Sequence, residues 1–319
     1  MTTTNEIVFF GTPDFAARVL EYLLDEGFTV RGVVTAPDRP AGRGRRPQAP
    51  PVKEVALAHG LPVLQPERLK DPAFLEALHS WHPALQVVVA FRMLPREVWQ
   101  LPPYGTFNLH ASLLPQYRGA APIQHVLLNG EKETGVTTFL IDEQIDTGKI
   151  LFQEKVPILP DDDAGTLTGR LLKAGAPLVA RTITALLAGE AQPVEQPRDP
   201  GELKKAPKIT ADDLWLDWSQ PPAALHNRIR AFSPVPGART RLRDRSGKEL
   251  MFKIFRATPR EGSHTHPVPS LVSDGKTYLD VAVPGGYLRL EEVQLEGRKK
   301  MGIKDFLRGT DPAALTFAV

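Results

Sequence analysis

The first 90 residues alternate short apolar runs with segments of helical spacing, and this alternation constrains the fold more than any other property of the chain. The run at 6–10 stops at Gly11-Thr12-Pro13. Beyond it Phe15, Ala16, Val19, Leu20, Leu23 and Leu24 recur at the three- and four-residue intervals of one helix face. Thr12 is expected to cap that helix, Pro13 to occupy its first position, and Gly27 to end it before a strand at 29–34. Helices near 51–59 and 66–80, a short strand near 63 and a strand at 85–90 continue the series. Strands joined through helices imply an α/β, Rossmann-like domain with a parallel sheet covered on both faces. Ligands of such sheets sit at the carboxyl ends of the strands.

The pattern changes in the second half. Asp161, Asp162 and Asp163 open a long apolar-periodic helix that reaches Gly189 and closes a first domain, 1–189. Residues 190–208 are rich in Pro, Gln and charge and read as a linker. Over 209–319, β-rich runs at 253–257, 276–283 and 287–295, with one helix at 222–232, predict a smaller C-terminal β-barrel of OB-like type. The chain contains no cysteine, which excludes thiol nucleophiles, disulfides and cysteine–zinc sites. It has no run of about 18 apolar residues and no basic-then-apolar leader, so a cytoplasmic protein without membrane attachment is expected. Residues 201–319 hold 20 Lys/Arg against 14 Asp/Glu, whereas residues 1–200 hold 19 against 23. A basic second domain suits a polyanion, and it also suits a merely solvated surface.

Gly11 stands alone after the first strand, with neither GxGxxG nor GxxxxGK[ST] around it, which disfavours a dinucleotide enzyme and excludes a P-loop. The segment GTFNLHASLL at 105–114 carries more chemistry. A strand at 106–109 would point Asn108 and His110 to the same side at its carboxyl end. An amide N–H can stabilise a developing oxyanion while an imidazole handles a proton near neutral pH. Equally, a strand-end Asn can cap a turn and a lone His can be structural. After a further strand at 136–141, the loop at 142–148 contains Asp146-Thr147-Gly148. Its carboxylate could orient the imidazole and stabilise its charged form, or simply shape a turn. Spacing leaves both readings open.

The string NLHASLLPQYRGAAPIQ at 108–124, with GTPDFAA at 11–17, PDRPAGRG at 37–44 and IDTG at 145–148, resembles the methionyl-tRNA formyltransferase family. IRAFSPVPGA at 229–238 and EGRKKMGIKDFL at 296–307 extend the resemblance through the second domain. The resemblance implies transfer of formyl from 10-formyltetrahydrofolate to the α-amine of methionyl initiator tRNA, with no metal and no protein partner. It makes Asn108, His110 and Asp146 the catalytic set, with the amide and the charged imidazole on the oxyanion and the carboxylate on the imidazole. Ser112, Leu113, Leu114 and Pro115 would border the folate. Arg43, Arg45 and Arg46 would contact tRNA, with Lys204, Lys205, Lys208, Arg298, Lys299 and Lys300 extending the track.

Two places depart from the family pattern: AFRMLP at 90–95 stands where Ala-Tyr-Gly-x-Ile-Leu-Pro is usual, so that either Arg92 replaces the Gly or the loop is shortened, and Gln144 replaces a usual Gly before Asp146. Two rival readings remain at this level. An N-formyltransferase acting on an amino sugar nucleotide would share the catalytic set, and a non-enzymatic RNA-binding protein would use the barrel alone.

Overall fold

The computed structural model describes residues 6–41, 46–197 and 201–318. The chain folds as two compact units, one of Met1–Pro122, Glu133–Pro157 and Thr168–Lys205, the other of Ile123–Lys132, Ile158–Leu167 and Ala206–Val319.

In the first unit, β1 (Ile7–Gly11) leads into α1 (Asp14–Asp25), whose buried face is Ala16, Ala17, Val19, Leu20 and Leu23. Thr12 does not cap this helix. Pro13 is the N-cap and offers no side-chain bond, so the start rests on the fixed proline backbone rather than on a hydroxyl. Gly27 ends the helix in the left-handed conformation, φ 81°. There follow β2 (Val30–Val34), a hairpin of β3 (Arg39–Ala41) and β4 (Arg46–Gln48), α2 (Pro51–Ala58) and β5 (Val63–Leu64). Next come α3 (Pro72–Ser80), β6 (Leu85–Val89), α4 (Arg96–Trp99) and β7 (Thr106–His110). The helix expected near 66–80 is shorter than its apolar pattern suggests, because Asp71 caps it, accepting from the Ala73 N–H at 2.9 Å.

The sheet order is β5-β2-β1-β6-β7-β8-β9, with β8 (Glu133–Leu140) and β9 (Ile150–Pro157) last. Every pair up to β6–β7 is parallel, but β7–β8 and β8–β9 are antiparallel. The antiparallel return of β9 follows from its connection, since the loop at 141–149 is too short for the crossover that a parallel neighbour needs. α5 (Pro122–Leu128) precedes β8, and α6 (Ala164–Leu187) follows β9. One face of the sheet packs Val8, Phe10, Val34 and Val88 against Phe74, Leu78, Leu94 and Val98. On the other face Thr138 of β8 shares a buried hydrogen bond with Thr182 of α6 at 2.9 Å.

The second unit contains α7 (Pro222–Ala231) and an antiparallel sheet of β10 (Ala238–Arg243), β11 (Glu249–Glu261), β12 (Ser270–Ser273), β13 (Leu279–Val283) and β14 (Gly286–Leu295), with β15 (Met301–Gly302) and β16 (Thr316–Phe317). The order β12-β13-β14-β11-β10-β16, with β15 on β14, curls until β12 and β16 approach, giving a nearly closed barrel. A second helix, α8 (Ile303–Arg308), was not expected. It is one short turn and a half, and Ile303, Phe306 and Leu307 bury it through β14 contacts rather than through any long periodic run. Among the described residues no helix is long and apolar enough to cross a membrane, and no cluster of three His, Cys, Asp or Glu side chains could hold a metal.

Candidate active site

β7 is the strand at which the sheet changes direction, parallel to β6 on one side and antiparallel to β8 on the other. Asn108 and His110 stand two residues apart on it and therefore share a face, beside Phe139 of β8, whose ring meets that of His110 edge-on with centroids 6.5 Å apart. The alternation read from the sequence thus places both polar side chains at the carboxyl end of a central strand.

His110 is buried. Its Nε2 lies 2.9 Å from the Tyr117 carbonyl and its Nδ1 lies 3.8 Å from Asp146 Oδ2. A carbonyl can only accept, so Nε2 carries a proton and, in the neutral ring, Nδ1 carries the lone pair. That lone pair faces the carboxylate, so protonation at Nδ1 creates an ion pair. The Asn108 Oδ1 is buried and has no hydrogen-bond partner among the described residues. An orphaned buried acceptor costs about 1–3 kcal/mol, a deficit that an incoming N–H donor relieves.

Asp146 reaches His110 by an unexpected route. Because β8 is antiparallel to β7, pairing Leu140 with Phe107, its end lies at the start of β7 and not beside His110. The 142–148 loop must fold back toward the imidazole. It does so with Asp146 at φ 56°, and with Gly148 so close to the end of β8 that a Cβ there would lie 1.7 Å from the Leu140 carbonyl oxygen. Asp142 shapes the loop by accepting from the Thr147 hydroxyl at 2.8 Å and the Gln144 N–H at 3.0 Å. Gln144 contributes only its backbone there, which explains why a residue other than glycine is tolerated.

Two anchors complete the loop. The Gly119 N–H donates to Asp146 Oδ2 at 2.9 Å, and Gln196 Nε2 donates to the carbonyls of Asp146 and Gly148, each at 2.9 Å. Three non-glycine residues with positive φ gather at or near this site, namely Ala90 at the end of β6 (48°), Tyr117 (61°) and Asp146 (56°). Such conformations cost on the order of 1–3 kcal/mol each and persist where surrounding bonds impose them.

The other expected residues fall as follows. Ser112 and Leu114 are buried and committed internally: the Ser112 hydroxyl donates to the Gln116 carbonyl at 2.7 Å, and the Leu114 N–H donates to Thr137 Oγ1 at 3.1 Å. Leu113 and Pro115 are half-buried. Arg92 donates to the carbonyls of Pro66 and Glu67 and so ties the 90–95 segment to the chain ahead of α3. Burial lowers its guanidinium pKa below the ordinary value.

Arg43 and Arg45 lie outside the described residues, and Arg46 opens β4. In the first unit, the Lys204 carbonyl accepts from the Tyr117 N–H at 2.7 Å and Lys205 pairs with Arg118 as an isolated bridge. In the second unit Lys208 and Lys299 are exposed. Arg298 is engaged with the Gly309 carbonyl (3.1 Å) and the Thr310 hydroxyl (2.8 Å). Lys300 pairs with Glu292 at 2.7 Å over the Phe255 ring. The structure therefore brings Asp146 to His110 on the strand face that also bears Asn108, and engages Arg298 and Lys300 with partners inside the second unit. Sequence reasoning missed Tyr117, Gly119 and Gln196. The first two sit inside the 108–124 string but act through the backbone, and Gln196 is 50 residues from its partner, with no local signal.

Comparison with known proteins identifies the family of the chain. Residues 5–183 match the family model described as formyl transferase, and residues 208–311 match the formyl transferase C-terminal domain. The chain is 50% identical over 307 residues to a methionyl-tRNA formyltransferase of Parabacteroides distasonis, covering 95% of each chain. It is 47% identical over 305 residues to the one of Bacteroides fragilis, covering 95% of this chain and 94% of the relative. Among solved structures, the N-formyltransferase of Helicobacter canadensis, complexed with folinic acid and dTDP-3-aminofucose, superposes with a TM-score of 0.62 at 20% identity, covering 89% of this chain and 97% of that one. HypX of Aquifex aeolicus, complexed with tetrahydrofolic acid, gives 0.62 at 19% identity over 95% of this chain and 48% of that one. At such identity these two structures speak for the fold alone.

Proposed function

The chain belongs to the formyl transferase family, and we propose that Asn108, His110 and Asp146 are the side chains with which it performs its reaction. That reaction is transfer of a formyl group from 10-formyltetrahydrofolate to the amine of methionyl initiator tRNA, which supports translation initiation. Relatives at this identity across both domains favour the tRNA acceptor over an amino sugar nucleotide and an enzyme over a mere RNA-binding protein. We place its work in the cytoplasm, where initiator tRNA is used.

The observation that carries the assignment is the meeting of the His110 Nδ1 lone pair with the Asp146 carboxylate, on the strand face that also bears the unpartnered Oδ1 of Asn108. The donor supplies an activated formyl group. A methionyl amine attacks only when neutral, so a base must accept its proton, and Nδ1 is the His110 nitrogen open to that task. Asp146 stabilises the resulting imidazolium while Gly119 N–H holds the carboxylate in place; when the tetrahedral adduct collapses, the bond between the formyl carbon and N10 of the folate breaks and the imidazolium returns its proton to that nitrogen, so that tetrahydrofolate leaves. Asn108, whose amide carries both a donor and an unmet acceptor, can orient the amine through Oδ1 and give N–H to the negative charge developing on the formyl oxygen. Leu113, Pro115 and the backbone of 112–115 are proposed to border the folate, since Ser112 and Leu114 are already used within the unit.

Asn108→Ala, His110→Ala and Asp146→Ala should each lower kcat by about 10²–10³, the usual size of one lost transition-state contact. Their tRNA affinity should stay near that of the unaltered protein. Near-normal turnover in all three variants would remove the assignment.

A further inference from the structure

Gln196 belongs to the 190–208 segment, which sequence alone reads as a linker, yet it is buried and fully hydrogen-bonded within the first unit. Its Nε2 donates to both the Asp146 and the Gly148 carbonyls at 2.9 Å. Its Oε1 accepts from Arg118 Nε at 3.2 Å and from Arg118 Nη2 at 2.5 Å. Arg118 sits between Tyr117, whose carbonyl accepts from His110, and Gly119, whose N–H donates to Asp146. The same segment returns eight residues later, where the Lys204 carbonyl accepts from the Tyr117 N–H at 2.7 Å and the Lys204 N–H donates to Gln116 Oε1 at 2.9 Å. A single stretch of chain therefore grips both supports of the site, the 142–148 loop and the 116–119 turn.

We propose that Gln196 is a positioning residue for the formyl-transfer reaction, holding the Asp146 carboxylate against His110 by clasping the carbonyl of Asp146 itself and that of Gly148 two residues on. The inference rests on the assignment of Asp146 made above. The physical case is that the conformation of Asp146 has little intrinsic support: φ is positive at a non-glycine residue, and the loop has to double back over the sheet face because β8 runs antiparallel to β7. Something outside the loop must impose that shape. The loop's own Asp142 bonds reach Gln144 and Thr147 but not Asp146. The Gln196 amide can do it because each of its polar atoms makes two hydrogen bonds, Nε2 to the two carbonyls and Oε1 from the Arg118 guanidinium. A carboxamide is the right group, since it offers two N–H donors to two carbonyls while its oxygen takes the Arg118 fork.

Gln196→Glu tests this directly. It keeps the volume and the Arg118 pairing, and even adds charge to that pairing, but turns a donor into an acceptor facing two carbonyls. Supporting residues of this kind typically change activity by about 10–100-fold. The expected result is a kcat for formyl transfer to methionyl-tRNA reduced within that range and KM for both substrates little altered, with a lower melting temperature from the two carbonyls that lose their donor. In a glycine-selective ¹⁵N spectrum, the Gly119 amide should shift as its bond to Asp146 is disturbed. The double variant Asp146→Asn with Gln196→Glu should be no slower than Asp146→Asn alone, because Gln196 acts through Asp146. Additive losses in the double variant, an unmoved Gly119 amide, or an unchanged kcat in Gln196→Glu would each overturn the proposal. Should Asp146→Asn itself retain full activity, the catalytic assignment fails and not the clasp, which the Gly119 amide reports independently of turnover. If Gln196→Glu failed to fold, Arg118→Lys would loosen the same clasp from its other side and is read by the same two measurements.

Discussion

At the scale of single residues, burial decides which groups the protein can afford to charge. His226 on α7 is largely withdrawn from water and donates Nδ1–H to the Ala257 carbonyl at 2.8 Å. Its pKa is pushed below the ordinary 6.5 first by that burial and further by the nearby Arg230 cation, against an opposing contribution from the carbonyl. Since the folded pKa is the lower, the unfolded chain binds this proton more readily as pH drops below 6.5. The stabilising effect of a neutral His226 is therefore complete above that value and is lost as pH falls toward the folded pKa. His226→Asn should flatten this segment of the curve, and melting temperatures of both proteins between about pH 5 and pH 7.5 check it. An identical pH slope in the two proteins would show that other groups govern it. Asn108 and His110 were legible at this scale from their alternation on a strand. The tautomer of His110 was not, because it is set by the carbonyl of Tyr117, which no residue type announces.

At the scale of elements, capping and strand direction correct what periodicity suggests. The apolar pattern ahead of α3 runs on from about 66, but Pro72 and the Asp71 cap fix the start, and the chain before it is tied by Arg92 instead. Asp71→Ala should lower stability by about 1 kcal/mol, as loss of an N-cap acceptor usually does, with kcat unchanged. Denaturant unfolding alongside a formyl-transfer assay measures both. The parallel half of the sheet follows from alternating strands and helices. The antiparallel return of β8 and β9 does not announce itself, because both orders of strands give similar β-rich runs. That return is what obliges the Asp146 loop to fold back, so an element-level feature sets a residue-level demand.

At the scale of the whole molecule, the excess of basic residues after 200 suggests a polyanion, and the acceptor tRNA is one. The structure sorts this basic set. Arg298 and Lys300 spend their charge on partners within the second unit, whereas Lys208 and Lys299 are exposed. Each side chain that neutralises a tRNA phosphate adds about 0.7–0.9 to the slope of log affinity against log salt. We expect Arg43→Ala, Lys208→Ala and Lys299→Ala to lower that slope, and Arg298→Ala to leave it unchanged while reducing thermal stability. A full salt series of tRNA binding decides the matter, and an unaltered slope in the first three would remove these residues from the interface.

The sequence by itself determined the two kinds of architecture, the strand that bears Asn108 and His110, and, through motifs in the right order, the chemistry. These are properties of short segments, where the period of apolar residues and the presence of particular side chains act within a few residues of each other. Tertiary structure alone decided the direction of β8, the route by which Asp146 reaches the imidazole, and the engagement of Gln196 with a loop 50 residues earlier. Those depend on hydrogen bonds to backbone carbonyls and amides. Every residue carries such groups alike, so their pairing is written in the folded geometry and not in the order of side chains.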